Sequence, residues 1–339
     1  MATPAGVPRP PVRAELERAR DVAFRRVLAR RVRGERDALA FVEEVGICST
    51  FYRFPEGLAC LWEAVVGRRD PRWPRRSHHD AGVGLTWELK DRLPARRAVY
   101  YGKLLKGRPV LVALDLLPAF YALVRGRQRA RDYRAEYEAG RLSHAAKRLM
   151  DVLIRRHPLY TREWRAEALM LEPGSTRGFE RAVAELQQGL FAVKTEERYD
   201  PSFSYRWDLV EAWLPDAVGE GRRLDRPAAV RRLVGRYLGG AAWGSVRGIA
   251  RLFRVPAEEV RLAVAALART GDVRASIPGR PSWRGGRCYA LAIMGRPVAT
   301  LCLIGGHELE SDCHASSRMR VRGSKRGPLD RLGRGESRS

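Results

Sequence analysis

The sequence predicts a mainly α-helical fold with small β-hairpins, and three observations carry that prediction. Apolar residues recur at helical spacing in several separate segments, and Gly/Pro-rich turns punctuate them. The same run of three helices followed by two strand-like segments also occurs twice. A length of 339 residues allows two or three domains, and 45% apolar content can fill a sizeable core.

The elements read in chain order. Residues 1–11 are a Pro-rich lead-in, expected to be disordered, and a helical stretch follows over 12–39. Its arginines (Arg25, Arg26, Arg30, Arg31, Arg33, Arg36) suit a solvated helix face as well as a phosphate-contacting one. The run 41–68 is mixed and apolar, and the prolines of 69–77 make that segment a loop. A helix is expected over 86–105, interrupted near Pro94, then a turn at Gly107-Arg108-Pro109 and a buried strand over 110–114. Residues 12–140 are read as an N-terminal helical, winged-helix-like domain.

The repeated pattern starts at residue 141. Helices are expected over 143–156, from Thr161, and from Ser175 or Thr176 to Gly189, with Phe179, Val183, Leu186 and Leu190 as the core stripe of the third. Strand-like runs at 191–195 and 204–207 flank a turn at Asp200-Pro201. Three helices followed by a hairpin is the order of a winged helix-turn-helix, so residues 141–215 are assigned to one such domain. Residues 222–294 repeat it, with helices over 227–238, 245–253 and 256–269 and strands over 273–277 and 287–291. The fold class is therefore tandem winged helix-turn-helix domains, mainly α with small β wings. Residues 295–339 lose all periodicity and are expected to be a disordered basic tail.

A net charge of +25 points to an anionic partner, since counterion release from a polyanion rewards such a surface. Residues 318–339 hold eight Lys/Arg and two Asp/Glu, leaving +19 for the rest, so the excess is not a tail effect. A GC-rich coding sequence would also enrich arginine over lysine. Five cysteines (Cys48, Cys60, Cys288, Cys302, Cys313) form no CxxC pair, which argues against a zinc site or a disulfide framework. The N-terminus lacks the apolar core of a signal peptide, and the longest apolar run, 298–304, is too short to span a bilayer. These features suggest a cytoplasmic, nucleoid-associated monomer with double-stranded DNA, possibly damaged, as its partner. No membrane, metal or other cofactor is expected; His78-His79-Asp80 are adjacent on a loop and lack metal-ligand spacing.

In a helix-turn-helix module the third helix enters the major groove. That selects Ser175, Arg177, Arg181 and Gln188 of the first copy, with Lys194 from its wing. The second copy opens its third helix on Glu258-Glu259, which repel phosphate, so its wing residues Arg280 and Arg284 are the better contacts. Upstream, Tyr101, Lys103 and Lys106 interleave an aromatic with lysines, a pattern of nucleic-acid surfaces and equally of a packed tyrosine. Glu43 and Glu44 lie in apolar surroundings, where partial burial would raise one pKa toward general-base work; a helix-terminal charge pair is the alternative.

The segments 41–46, 84–94 and 100–109, together with the two helix-helix-helix-wing units, resemble the winged-helix DNA glycosylases of the YcaQ/AlkZ-like family over residues 12–291. The resemblance implies tandem winged helices around a DNA channel and metal-independent excision of alkylated or crosslinked purines. An N-alkylated purine is already a good leaving group, so such an enzyme chiefly positions water and stabilises an oxocarbenium. Characterised members carry a Gln-apolar-Gln or Gln-apolar-Asp motif that this chain lacks. By position, Glu43 and Glu44 are the candidates to activate water. A non-catalytic DNA-binding protein or transcriptional regulator is the alternative function.

Overall fold

One order of elements occurs three times along the chain: helix, strand, helix, helix, strand, strand. The structure, a computed structural model, describes residues 13–172, 174–275 and 288–291. After the leading helix α1 (Arg13–Ala23), the first run is α2 (Glu35–Val45), β1 (Ile47–Ser49), a two-residue strand β2 (Ala59–Cys60), α3 (Leu61–Val66), α4 (Ala81–Ala95), β3 (Val99–Leu105) and β4 (Arg108–Ala113). Two connecting helices follow, α5 (Leu117–Val124) and α6 (Tyr133–Glu138). The second run is α7 (His144–Leu153), β5 (Leu159–Tyr160), α8 (Thr161–Glu167), α9 (Ser175–Gln188), β6 (Ala192–Arg198) and β7 (Ser204–Leu209). Helices α10 (Val210–Trp213) and α11 (Pro215–Arg223) lead to the third. It comprises α12 (Arg226–Ala241), β8 (Trp243–Ser245), α13 (Val246–Phe253), α14 (Ala257–Arg269), β9 (Val273–Ala275) and β10 (Cys288–Leu291).

The sheets repeat as well. Their strand orders are β2-β1-β4-β3, β5-β7-β6 and β8-β10-β9. In each, the strand after the first helix pairs antiparallel with the last strand, which pairs with its hairpin partner. In the second and third runs the helices and the hairpins lie where expected and the short strands β5 and β8 are additions; residues 12–140, expected to be helical and winged-helix-like, also hold a hairpin that was not foreseen. Residues 99–105, expected to continue a helix, are a strand instead. Pro94 sits in the last turn of α4, which stops at Ala95, and the next residues pair with β4, Tyr100 facing Val112. The helical stretch expected over 12–39 is likewise split, with residues 24–34 between α1 and α2.

Side-chain caps set four of the helix starts. Asp80 accepts the Val83 N–H at 2.8 Å, Ser143 that of Ala146 at 3.2 Å, Asp225 that of Ala228 at 2.7 Å and Ser245 that of Gly248 at 3.1 Å. The expected cap at Ser175 is corrected. Gly174, at φ 85°, is the N-cap, and the Ser175 hydroxyl turns back to the carbonyls of Met170 and Glu172. Thr161 does not cap either: its hydroxyl donates to the Tyr205 carbonyl and accepts from the Trp207 indole. Glu163 does cap its helix, accepting the Tyr160 N–H at 2.9 Å.

Two large hydrophobic clusters hold these runs, beside a small one of Cys60, Trp62 and Val83. The larger joins the first run to the third, packing Phe41, Leu61, Leu89 and Leu111 with Leu233, Leu238, Ile249 and Val260. Close approach of α12 to α2 needs Gly240, where a Cβ would stand 3.0 Å from the Val45 Cα. Arg20 of α1 locks onto the same place, donating to the Ala241 carbonyl at 2.7 Å and the Trp243 carbonyl at 2.5 Å, 4.1 Å from the Trp243 ring. The second cluster belongs to residues 130–209 and centres on Trp164, which is fully buried, donates to the Leu149 carbonyl and meets Phe179 edge-on. Among the described residues, no helix is long and apolar enough to cross a membrane.

Candidate nucleic-acid interface

Helix α9 buries Phe179, Ala182, Val183 and Leu186, so a 3.6-residue period turns Arg177 and Arg181 outward. Both arginines are exposed, and neither has an acidic partner among the described residues. A guanidinium without a carboxylate keeps its charge and all its donors for an anion. Gln188, named from the same helix, sits at the other end: it is half-buried, and its carbonyl oxygen accepts from Arg254 at 3.4 Å. Its neighbour Gln187 was missed. That side chain is buried and accepts the backbone N–H of Lys103 at 2.7 Å, tying α9 to β3.

Lys194 is corrected from wing cation to core cation. Lys90 and Asp91 of α4 meet Lys194 and Glu197 of β6 in a cluster whose side chains are 4% to 19% exposed. Lys90 reaches Glu197 at 3.1 Å and Lys194 reaches Asp91 at 3.2 Å, with closer contacts from Lys90 to Asp91 and Lys194 to Glu197. Tyr101 is part of the same cluster, its ring 4.8 Å from the Lys194 ammonium, and Tyr205 lies 5.0 Å away on the other side. Tyr199 donates to Glu197 at 2.9 Å.

Charge and burial act in opposite directions on these groups. Burial lowers the Lys194 pKa, and the like charge of Lys90 adds to it. Burial raises Asp91, as does its hydrogen bond to Glu197. Burial would raise Glu197 too, but the bond from Asp91 and the two lysines hold it down at about 2. The two carboxylates are thus driven apart, one toward holding a proton and the other toward charge. Nothing local in the sequence signals this pairing, because α4 and β6 are about a hundred residues apart.

The other named residues spread over the first run. Lys103 is half-buried, and Lys106 pairs with the buried carboxylate of Glu56 in the β3–β4 turn. Glu43 and Glu44 lie on the outer face of α2, opposite the buried Phe41, Val42 and Val45. The partial burial expected of them is not met: both are exposed, and Glu44 pairs with Arg25 at 3.2 Å. The buried carboxylate nearby is Glu63, with no exposed side-chain surface, held by Arg26 at 2.6 Å and by the Asp70 N–H at 3.0 Å. Arg280, Arg284 and the tail 295–339 lie outside the described residues. Among the described residues, no group of three or more His, Cys, Asp or Glu side chains is placed to hold a metal.

Comparison with known proteins gives one result. A family model described as AlkZ related matches residues 32–254, about two thirds of the chain. No curated protein and no solved structure matches.

Proposed function

From a chain that belongs to the AlkZ-related family, we propose a DNA-repair protein that binds duplex DNA through three winged helices and excises alkylated or crosslinked purines without a metal. The observation that carries DNA binding is the element order itself. Helix-strand-helix-helix-strand-strand, with the first strand paired to the last, is the order expected of a winged helix; the second and third runs follow it, and the first follows it with the two-residue strand β2 inserted. The third helix of such a unit is the one that enters the major groove. In the second unit that helix is α9, whose outward arginines Arg177 and Arg181 are unpaired.

Excision rests on family membership and on chemistry. An N-alkylated purine leaves readily, so the protein has to hold the sugar, admit one water and face the developing positive charge with a carboxylate. Glu43 and Glu44 are accessible to a DNA strand and are the first candidates. The test is incubation of methylated and crosslinked duplexes with the protein, scoring abasic sites. The double variant E43Q/E44Q is expected to lose base release while keeping DNA affinity. Unchanged release removes both residues from the mechanism.

One observation favours the non-catalytic alternative. Both glutamates are exposed and Glu44 is paired with Arg25, so neither stands in a closed pocket that would hold a single water against a sugar. A protein that binds intact duplex and releases no base from any lesion is then a DNA-binding regulator.

A further inference from the structure

Between β1 and α4 the first unit gathers four aromatic rings, of which Trp62 belongs to a small core cluster with Cys60 and Val83, Phe51 packs against that cluster, and Trp73 and Trp87 reach the surface. Phe51 follows β1, Trp62 lies on α3, Trp73 stands in the loop after α3, and Trp87 is halfway along α4. Phe51 is 5.7 Å from Trp73 and 5.2 Å from Trp87, and Trp62 is 5.0 Å from Trp73. Trp73 and Trp87 are 54% and 50% exposed, a large apolar surface to leave in water. Trp62 is buried, and its indole N–H has no acceptor in the described chain. An unmet donor beneath two exposed indoles is a cost that a ligand carrying acceptors could remove.

The charge around the rings says what kind of ligand. Arg72 and Arg75 flank Trp73 in sequence, are exposed and have no acidic partner among the described residues. A second copy of this chain, at +25, would bring like charge to the same patch. A nucleotide brings a phosphate for the arginines and an apolar face for the indoles. A paired base has both faces taken by its stacked neighbours, so only an unpaired one can lie on the rings.

We infer that Phe51, Trp73 and Trp87 form a stacking site for one unpaired nucleobase of a DNA strand, with Arg72 and Arg75 on its flanking phosphates. The site is built around Trp87 on the third helix of the first unit, with Phe51 and Trp73 from the segments before it, and so rests on the winged-helix reading above. There the exposed midpoint of the helix offers an indole face in place of a hydrogen-bonding side chain. This unit therefore selects for a base out of its stack, independent of which base it is.

The probe is a duplex carrying 2-aminopurine as a one-nucleotide bulge, compared with the fully paired duplex. Binding is expected to quench 2-aminopurine emission by stacking and to favour the bulged duplex about ten-fold. The double variant W73A/W87A is expected to lose quenching and preference while binding the paired duplex as before, which also shows that it is folded. W73F/W87F should recover most of both, since a phenyl face still stacks. Equal wild-type binding of the two duplexes without quenching, or a preference that survives in W73A/W87A, overturns the inference alone. Failure of the wild type to bind either duplex at low salt overturns the DNA-binding reading and the stacking site with it.

Discussion

Lys194 shows how a residue can be read for the wrong partner. A lysine on a wing looks like a phosphate contact, but here it faces Asp91 and Glu197 inside a ring of tyrosines. Removing one member of a buried charge group leaves its partners uncompensated, so K194M is expected to cost roughly 3–5 kcal/mol in urea unfolding. Its effect on DNA affinity should be no larger than that loss of folded protein explains. Glu136 makes a gentler test. The hydrogen bond from Arg141 is the largest of the forces that hold its carboxyl at about 2, against 4.5 unperturbed. A folded-state value below the unfolded one gives stability that is complete above about pH 4.5 and lost as pH falls toward 2. R141A is expected to move the Glu136 titration up toward 4.5, measured by NMR of its carboxyl carbon. Neither environment was legible in the sequence, because each depends on what folding brings alongside.

Among the elements, periodicity decides what can be read in advance. Helices α9, α12, α13 and α14 carry clean apolar stripes and lie within a few residues of their expected positions. Strand β3 lacked such a signal. Its burial alternates, with Tyr100, Gly102 and Leu104 buried and Tyr101 and Lys103 half-buried between them, but its residue types do not, since a glycine faces in and a tyrosine faces out; its pairing with β4 also slips between Gly102 and Leu105. Without apolar and polar residue types following that alternation, the run passes for a helix. The hairpin of the first unit stayed hidden for that reason, and its aromatic site because the four rings come from segments up to 36 residues apart. Docking of α1 is testable at this scale. Arg20 supplies two hydrogen bonds to backbone carbonyls near the end of α12 and a stacked guanidinium on Trp243. R20A should release the helix, seen as faster amide exchange over Arg13–Ala23 with little change in α9.

For the molecule as a whole, charge sets the behaviour most open to measurement. If Arg177 and Arg181 each touch a phosphate, log affinity for duplex DNA falls steeply with log salt, and R177E/R181E lowers that slope by about 2. An unchanged slope would place the DNA on another face. Composition announced this property from the start, while the partition of the cores was silent in it. The larger hydrophobic cluster begins at Phe24 and closes only with Val273, whereas the cluster around Trp164 is complete at Leu209.

That partition has a consequence during synthesis. The ribosome releases the chain from the N-terminus, so the first segment made is among the last to find its partners. Residues 130–209 can close while Phe41, Leu61 and Leu111 still wait for a helix that has not yet been translated. Nascent chains stalled once Leu209 has cleared the ribosome, but before Leu233 has, should resist protease across the middle segment while their N-terminal third is still cut. Until the last helices emerge, that early segment is a natural client for whatever shields apolar chain at the tunnel exit.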